Sequence, residues 1–145
     1  MTKKWLGFLA LMLLMLAAVG CSKQNTVNRE TGNSSELLGR LERSLQAQGF
    51  TLGNKGKQSG DMLADVYPVK YTIKLDDQNE DFILVYVYKS ADEARQATTD
   101  QHYTITTLTN FRNYINGDLL LVHFATDGDL EKYKEQLDEA LKQLR

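Results

Sequence analysis

The order of elements along this chain predicts an α+β domain, a mainly antiparallel sheet of four to five strands packed with amphipathic helices. Three patterns carry that expectation. Leu37, Leu38, Leu41 and Leu45 recur at helical spacing, residues 67–75 alternate strictly between apolar and polar, and the runs Phe82–Tyr88 and Leu119–Ala125 are apolar on both faces. All lie within residues 35–145, which read as a single domain. Residues 1–20 and 21–34 have a different composition.

The first helix begins near Ser35 and stops at Gly49, because glycine at the C′ position takes the left-handed conformation cheaply and Phe50 can then pack back on Leu45. A short strand at 50–52 leads into a Gly-, Asn- and Lys-rich loop over 53–60. In the strand over 67–75, Tyr67, Val69, Tyr71, Ile73 and Leu75 share one face. Pro68 lacks a ladder donor, so this is either an edge strand or one that starts just after Pro68.

Residues 76–81, Asp-Asp-Gln-Asn-Glu-Asp, read as a solvated polar turn before the central strand 82–88. Ser90-Ala91-Asp92-Glu93 is a capping box opening a helix whose inner face is Ala91, Ala94 and Ala97. Residues 103–115 are Thr- and aromatic-rich and β-prone, with a change of register near Leu108. Asn116-Gly117 predicts a type I′ hairpin turn, which needs positive φ at both central residues. The final helix is expected to start at the Thr126–Asp129 cap, with Leu130, Tyr133, Leu137, Leu141 and Leu144 on one stripe.

The N-terminus carries an address. Lys3 and Lys4 precede an apolar run from Trp5 to Val19 and then Gly20-Cys21, the grammar of a secretory signal. As a helix that run would span about 22 Å, short of the ~30 Å hydrocarbon core, so cleavage is favoured over a permanent span. Ser22 to Ser34 is polar apart from Val27 and reads as a flexible tether with a typical end-to-end distance of about 20 Å.

Composition bounds the function classes. With 42% hydrophobic and 25% charged residues in 145, the chain is an ordinary globular protein, and its one cysteine leaves no intramolecular disulfide. Residues 1–20 hold two lysines and no acid, so the part after them has a net charge of −4 against −2 for the whole. No basic stripe offers itself to nucleic acid.

Chemistry-bearing motifs are few. His102 and His123 are the only histidines, and His123, alternating with Leu121 and Ala125, reads as a hydrogen-bonded core residue. Neither has the neighbours of a zinc site. The acidic run 76–81 lacks the central glycine and distal glutamate of a calcium loop and reads as a solvated turn, and Asp127-Gly128-Asp129-Leu130-Glu131 leads directly into a helix and reads as its N-terminal cap. No nucleophile-elbow or phosphate-loop motif occurs, so no catalytic, metal or cofactor residue is assigned. Six tyrosines, Tyr67, Tyr71, Tyr86, Tyr88, Tyr103 and Tyr114, concentrate in or near the expected strands, where an apolar body with a polar tip suits either cross-strand packing or an interaction surface.

Ala18-Val19-Gly20-Cys21 looks like a bacterial lipobox, with Ala18 where leucine is usual. The lipobox, the tether, Gln48-Gly49-Phe50, the Tyr88–Ala94 junction and Tyr114–Asp118 together resemble small lipoproteins of Gram-positive bacteria. That resemblance implies a diacylglyceryl group on Cys21 and surface anchoring, and it brings no activity with it. The expected function is a non-enzymatic binding or accessory module for an envelope protein or peptide, lipid-anchored on the extracytoplasmic face of the cell membrane. The alternative is a small extracytoplasmic hydrolase using His102 or His123.

Overall fold

The computed structural model describes residues 24–75, 78–99, 101–103 and 109–144. The chain divides into two compact units, Met1–Glu36 and Leu37–Arg145. Cys21, the apolar run before it and the acidic pair Asp76-Asp77 lie outside the described residues.

Helix α1 spans Gln24–Ala47. It therefore takes in residues 24–34, where a tether was expected. Polarity alone does not break a helix; breakers do, and this stretch holds no proline and only Gly32 as a residue costing about 1 kcal/mol relative to alanine. Its end follows the expectation closely. Gly49 has φ +91°, the Phe50 amide donates to the Leu45 carbonyl and the Gly49 amide to that of Gln46, the paired bonds of a Schellman cap.

Five strands follow in chain order: β1 (Thr51–Lys57), β2 (Val69–Lys74), β3 (Asp81–Val87), β4 (Asn110–Asn116) and β5 (Leu119–Ala125). All pairings are antiparallel and the sheet order is β1-β2-β3-β5-β4. Strand β1 runs through most of the stretch expected to be a loop, accommodating its glycines by a bulge between Gly53 and Gly56. Strand β2 starts just after Pro68 and lies inside the sheet, so the missing proline donor falls outside the ladder.

Both faces of the sheet are covered, as the two-sided apolar strands require. On one face Leu37, Leu41 and Leu45 of α1 join Leu137, Ala140 and Leu141 of α3 (Lys134–Lys142) over Tyr71, Ile73, Ile83, Val85 and Leu121. Ser44, buried between the two helices, donates to the Ala140 carbonyl at 2.6 Å. On the other face Ala94 and Ala97 of α2 (Ala91–Ala97) and Leu63 pack on Leu84, Tyr86, Tyr88, Leu120 and Val122. The small alanines let a short helix lie close to the strands. Ser90 Oγ accepts from the Glu93 amide, and Glu93 in turn accepts from the Lys89 amide.

Two turns depart from expectation. The β4–β5 hairpin has Gly117 at φ +61° but no positive φ at Asp118, the pattern of a type II′ turn rather than type I′. Helix α3 starts at Lys134, with residues 126–133 in successive turns, because Asp127 and Asp129 each accept a backbone amide two residues on and so compete with the helix.

Candidate functional site

Two places gather polar groups beyond what the fold needs for pairing. The first is buried. Asp81, expected in a solvated turn, is instead the first residue of β3 and 1% exposed. Its carboxylate accepts from His123 Nε2 at 2.9 Å, from the Thr126 amide at 2.9 Å and from the Thr126 hydroxyl at 3.0 Å, with Lys132 Nζ at 3.1 Å. Burial pushes this carboxyl up, but the hydrogen bonds from His123, Thr126 and Lys132 outweigh it and hold Asp81 below the usual carboxylate range. Lys132 is held above its usual range in the same way, burial being outweighed by Asp127 and Asp81.

This constellation is a latch. It ties β3 to β5 and to the turns that precede α3. His123 sits in the core, as its alternation on β5 indicates, and its Nδ1 has no partner among the described residues. The Thr126 hydroxyl lies against the Glu80 carbonyl and the Asp81 carboxylate, not against His123, so carboxylate, imidazole and hydroxyl are not in the order of a nucleophilic relay. His102 is exposed. Among the described residues no group of three His, Cys, Asp or Glu side chains is placed to hold a metal ion.

The second place is on the surface, over the opposite face. Residues 61–66 fold back on themselves: Leu63 and Val66 exchange both amide-to-carbonyl bonds, at 3.0 and 3.1 Å, around Ala64 (φ +47°) and Asp65 (φ +62°). Positive φ at both central residues is the type I′ geometry, carried here by Asp65, a residue type that tolerates it, and by Ala64, which does not. At Ala64 this costs about 1–2 kcal/mol. A tight turn of this kind persists only when its surroundings hold it.

The sheet supplies that hold. Tyr86 Oη donates to the Asp61 carbonyl at 2.7 Å, and Tyr88 Oη donates to the Leu63 carbonyl at 3.2 Å. Burial raises both phenols far above their usual pKa, so they remain protonated donors. Since Tyr86 spends its one proton on Asp61, the Tyr103 hydroxyl is the donor in their 3.2 Å contact, and Gln101 in turn donates to Tyr103.

Between this turn and α2 lies a cleft of about 370 Å³, lined by Met62, Leu63, Ala64, Tyr88, Glu93, Gln96 and Ala97. Met62 is 48% exposed, and Tyr67, just past the turn, is 55% exposed. A broader depression of about 670 Å³ along α3 is walled by charged side chains, among them the pairs Lys134–Asp138 and Lys142–Glu139. Those two pairs answer one another within the helix, and Glu131 pairs with Arg112 of β4.

The tyrosines sort accordingly. Tyr71, Tyr86, Tyr88 and Tyr114 are buried rather than displayed, Tyr103 is half-buried, and only Tyr67 of the six is surface-exposed. Several buried tyrosine hydroxyls act as fasteners: Tyr71 donates to Glu42 on α1 at 2.9 Å, and Tyr133 to the Asn79 carbonyl at 2.8 Å. Met62 and the strained turn are not legible in the sequence because Leu-Ala-Asp-Val carries no glycine or asparagine to mark positive φ. Of the six tyrosines, Tyr86 and Tyr88 do contribute to the candidate site, from beneath it.

No protein-family model, curated protein or solved structure matches the chain.

Proposed function

We propose that this protein is a non-enzymatic binding or accessory module, anchored through diacylglyceryl on Cys21 to the extracytoplasmic face of the cell membrane, and that it engages an envelope protein or peptide through the cleft at Met62. The observation that supports the binding role is the turn 63–66. Two consecutive non-glycine residues are kept at positive φ by buried tyrosine donors, and the result is an exposed methionine beside a cleft lined by both apolar and polar side chains. Strain maintained at this cost is characteristic of sites where geometry matters for recognition.

The anchor rests on the sequence of residues 3–21. Two acyl chains give a stable membrane hold, whereas one gives only marginal binding. No described helix is long and apolar enough to cross a membrane. The test is to express Met62→Ser and wild type in a strain lacking the protein and score whatever defect its deletion causes. Met62→Ser, folded and membrane-retained, is expected to fail to restore function; full restoration would remove the cleft from the account.

A further inference from the structure

The two chain segments that wall the cleft differ in apolar content and in charge, residues 58–67 carrying a net −2 and residues 89–99 a net zero, so that together they are acidic. Residues 58–67 contain Asp61 and Asp65 and no base, and residues 89–99 contain Asp92 and Glu93 against Lys89 and Arg95. Arg95 is engaged by Asp92 at 2.6 Å. On the wall itself Glu93 is the only carboxylate and is exposed, sharing the lining with the apolar Met62, Leu63, Ala64 and Ala97 and with Tyr88 and Gln96. The site therefore offers apolar contact with a negative rim.

We infer that the partner is a polypeptide segment that places an apolar side chain next to a lysine or arginine, the apolar group entering beside Met62 and the cation meeting Glu93. This deepens the proposed binding role and rests on it. Charge complementarity selects the occupant: a cationic segment is attracted to this rim, an acidic one is repelled, and an anionic lipid surface is disfavoured for the same reason. Methionine suits such a surface, since its flexible thioether adapts to different apolar partners.

The sequence supplies a reporter. Methionine occurs at positions 1, 12, 15 and 62, so Met62 is the only one after the signal-like segment. The full chain, labelled with [methyl-¹³C]methionine and held in neutral detergent micelles, is titrated with three synthetic decapeptides built from Lys and Leu, Glu and Leu, or Lys and Ser.

The Lys/Leu peptide is expected to move the Met62 methyl signal saturably. Glu93→Gln should weaken that binding by about fivefold and flatten its salt dependence, and Met62→Ser, followed by peptide fluorescence, by about tenfold. Equal shifts with the Glu/Leu peptide would overturn the cationic assignment while leaving the cleft a binding site. A Met62 signal unmoved by all three would overturn the binding role with it. A shift on concentrating the protein alone, matching the peptide-induced one, would make a second copy of the chain the occupant and overturn the inference. Binding by the Lys/Leu peptide that Glu93→Gln leaves unchanged would do the same.

Discussion

The Tyr86 hydroxyl donates to the Asp61 carbonyl at 2.7 Å, and through that bond a buried strand holds the start of a surface turn. Removing the donor leaves a carbonyl to find water and loosens one of two fasteners. Tyr86→Phe should destabilise the domain by about 1 kcal/mol. It should also speed amide exchange at Leu63 and Val66 more than at β5, and hydrogen-exchange mass spectrometry would show whether it does.

Ala64→Gly and Gly39→Ala are opposite substitutions expected to act in the same direction. Ala64 has φ +47°, where glycine is unstrained, whereas Gly39 lies inside α1 with room for a methyl, its nearest contact being Arg43 at 3.7 Å. Each should stabilise by roughly 0.5–1 kcal/mol, worth about 2–8 °C in Tm for a domain of this size. Calorimetry giving opposite signs would place one of the two residues in the wrong backbone region.

Asp81→Asn should cost about 3 kcal/mol, because it removes the buried carboxylate that accepts from His123 and Thr126 and leaves Lys132 with Asp127 alone. Since the folded-state pKa of Asp81 lies below its unfolded value of about 3.9, its contribution is complete above that value and lost as pH falls through the folded pKa. Denaturant melts from pH 7 to pH 2 should show the wild type losing stability more steeply on the acid side than Asp81→Asn.

The elements with local chemical signals were legible in the sequence: the Gly49 cap, the Ser90–Glu93 box, the alternating strand containing Tyr71 and the two-sided strands at Ile83 and Leu121. Elements decided by tertiary contacts were not. Asp81 resembles the rest of its acidic run and becomes a core residue only because His123, Thr126 and Lys132 converge on it from positions more than forty residues away. Gly53 looked like loop, yet it is a strand residue opposite Thr72, where a Cβ would lie 2.8 Å from the threonine hydroxyl. Of the candidate site, the tyrosines were visible but their direction was not: the same alternation that puts Tyr71 on one face puts Tyr86 and Tyr88 under the other.

Gly117→Val should damage the fold more than Gly56→Val. Gly117 has φ +61°, a region that strains a β-branched residue, while Gly56 has no positive φ, and a side chain there would find no atom within 4 Å of its Cβ. A urea midpoint lower for Gly56→Val than for Gly117→Val would contradict the hairpin geometry.

Cys21→Ser should leave a folded domain that lipid no longer retains. Membrane fractionation and the intact mass of the extracted wild-type protein check this together: the mature chain is expected to begin at Cys21 with a diacylglyceryl adduct. An unmodified Cys21, or equal retention of the variant with its leader removed, would contradict the anchor.

The most direct test of the binding role is site-specific photocrosslinking in intact cells, with the photoreactive residue at position 62 or at position 135 on the exposed side of α3. A discrete adduct is expected from position 62, suppressed by Glu93→Arg, and none of the same mass from position 135. Identical adducts from both positions, or no adduct from position 62, would contradict the binding role.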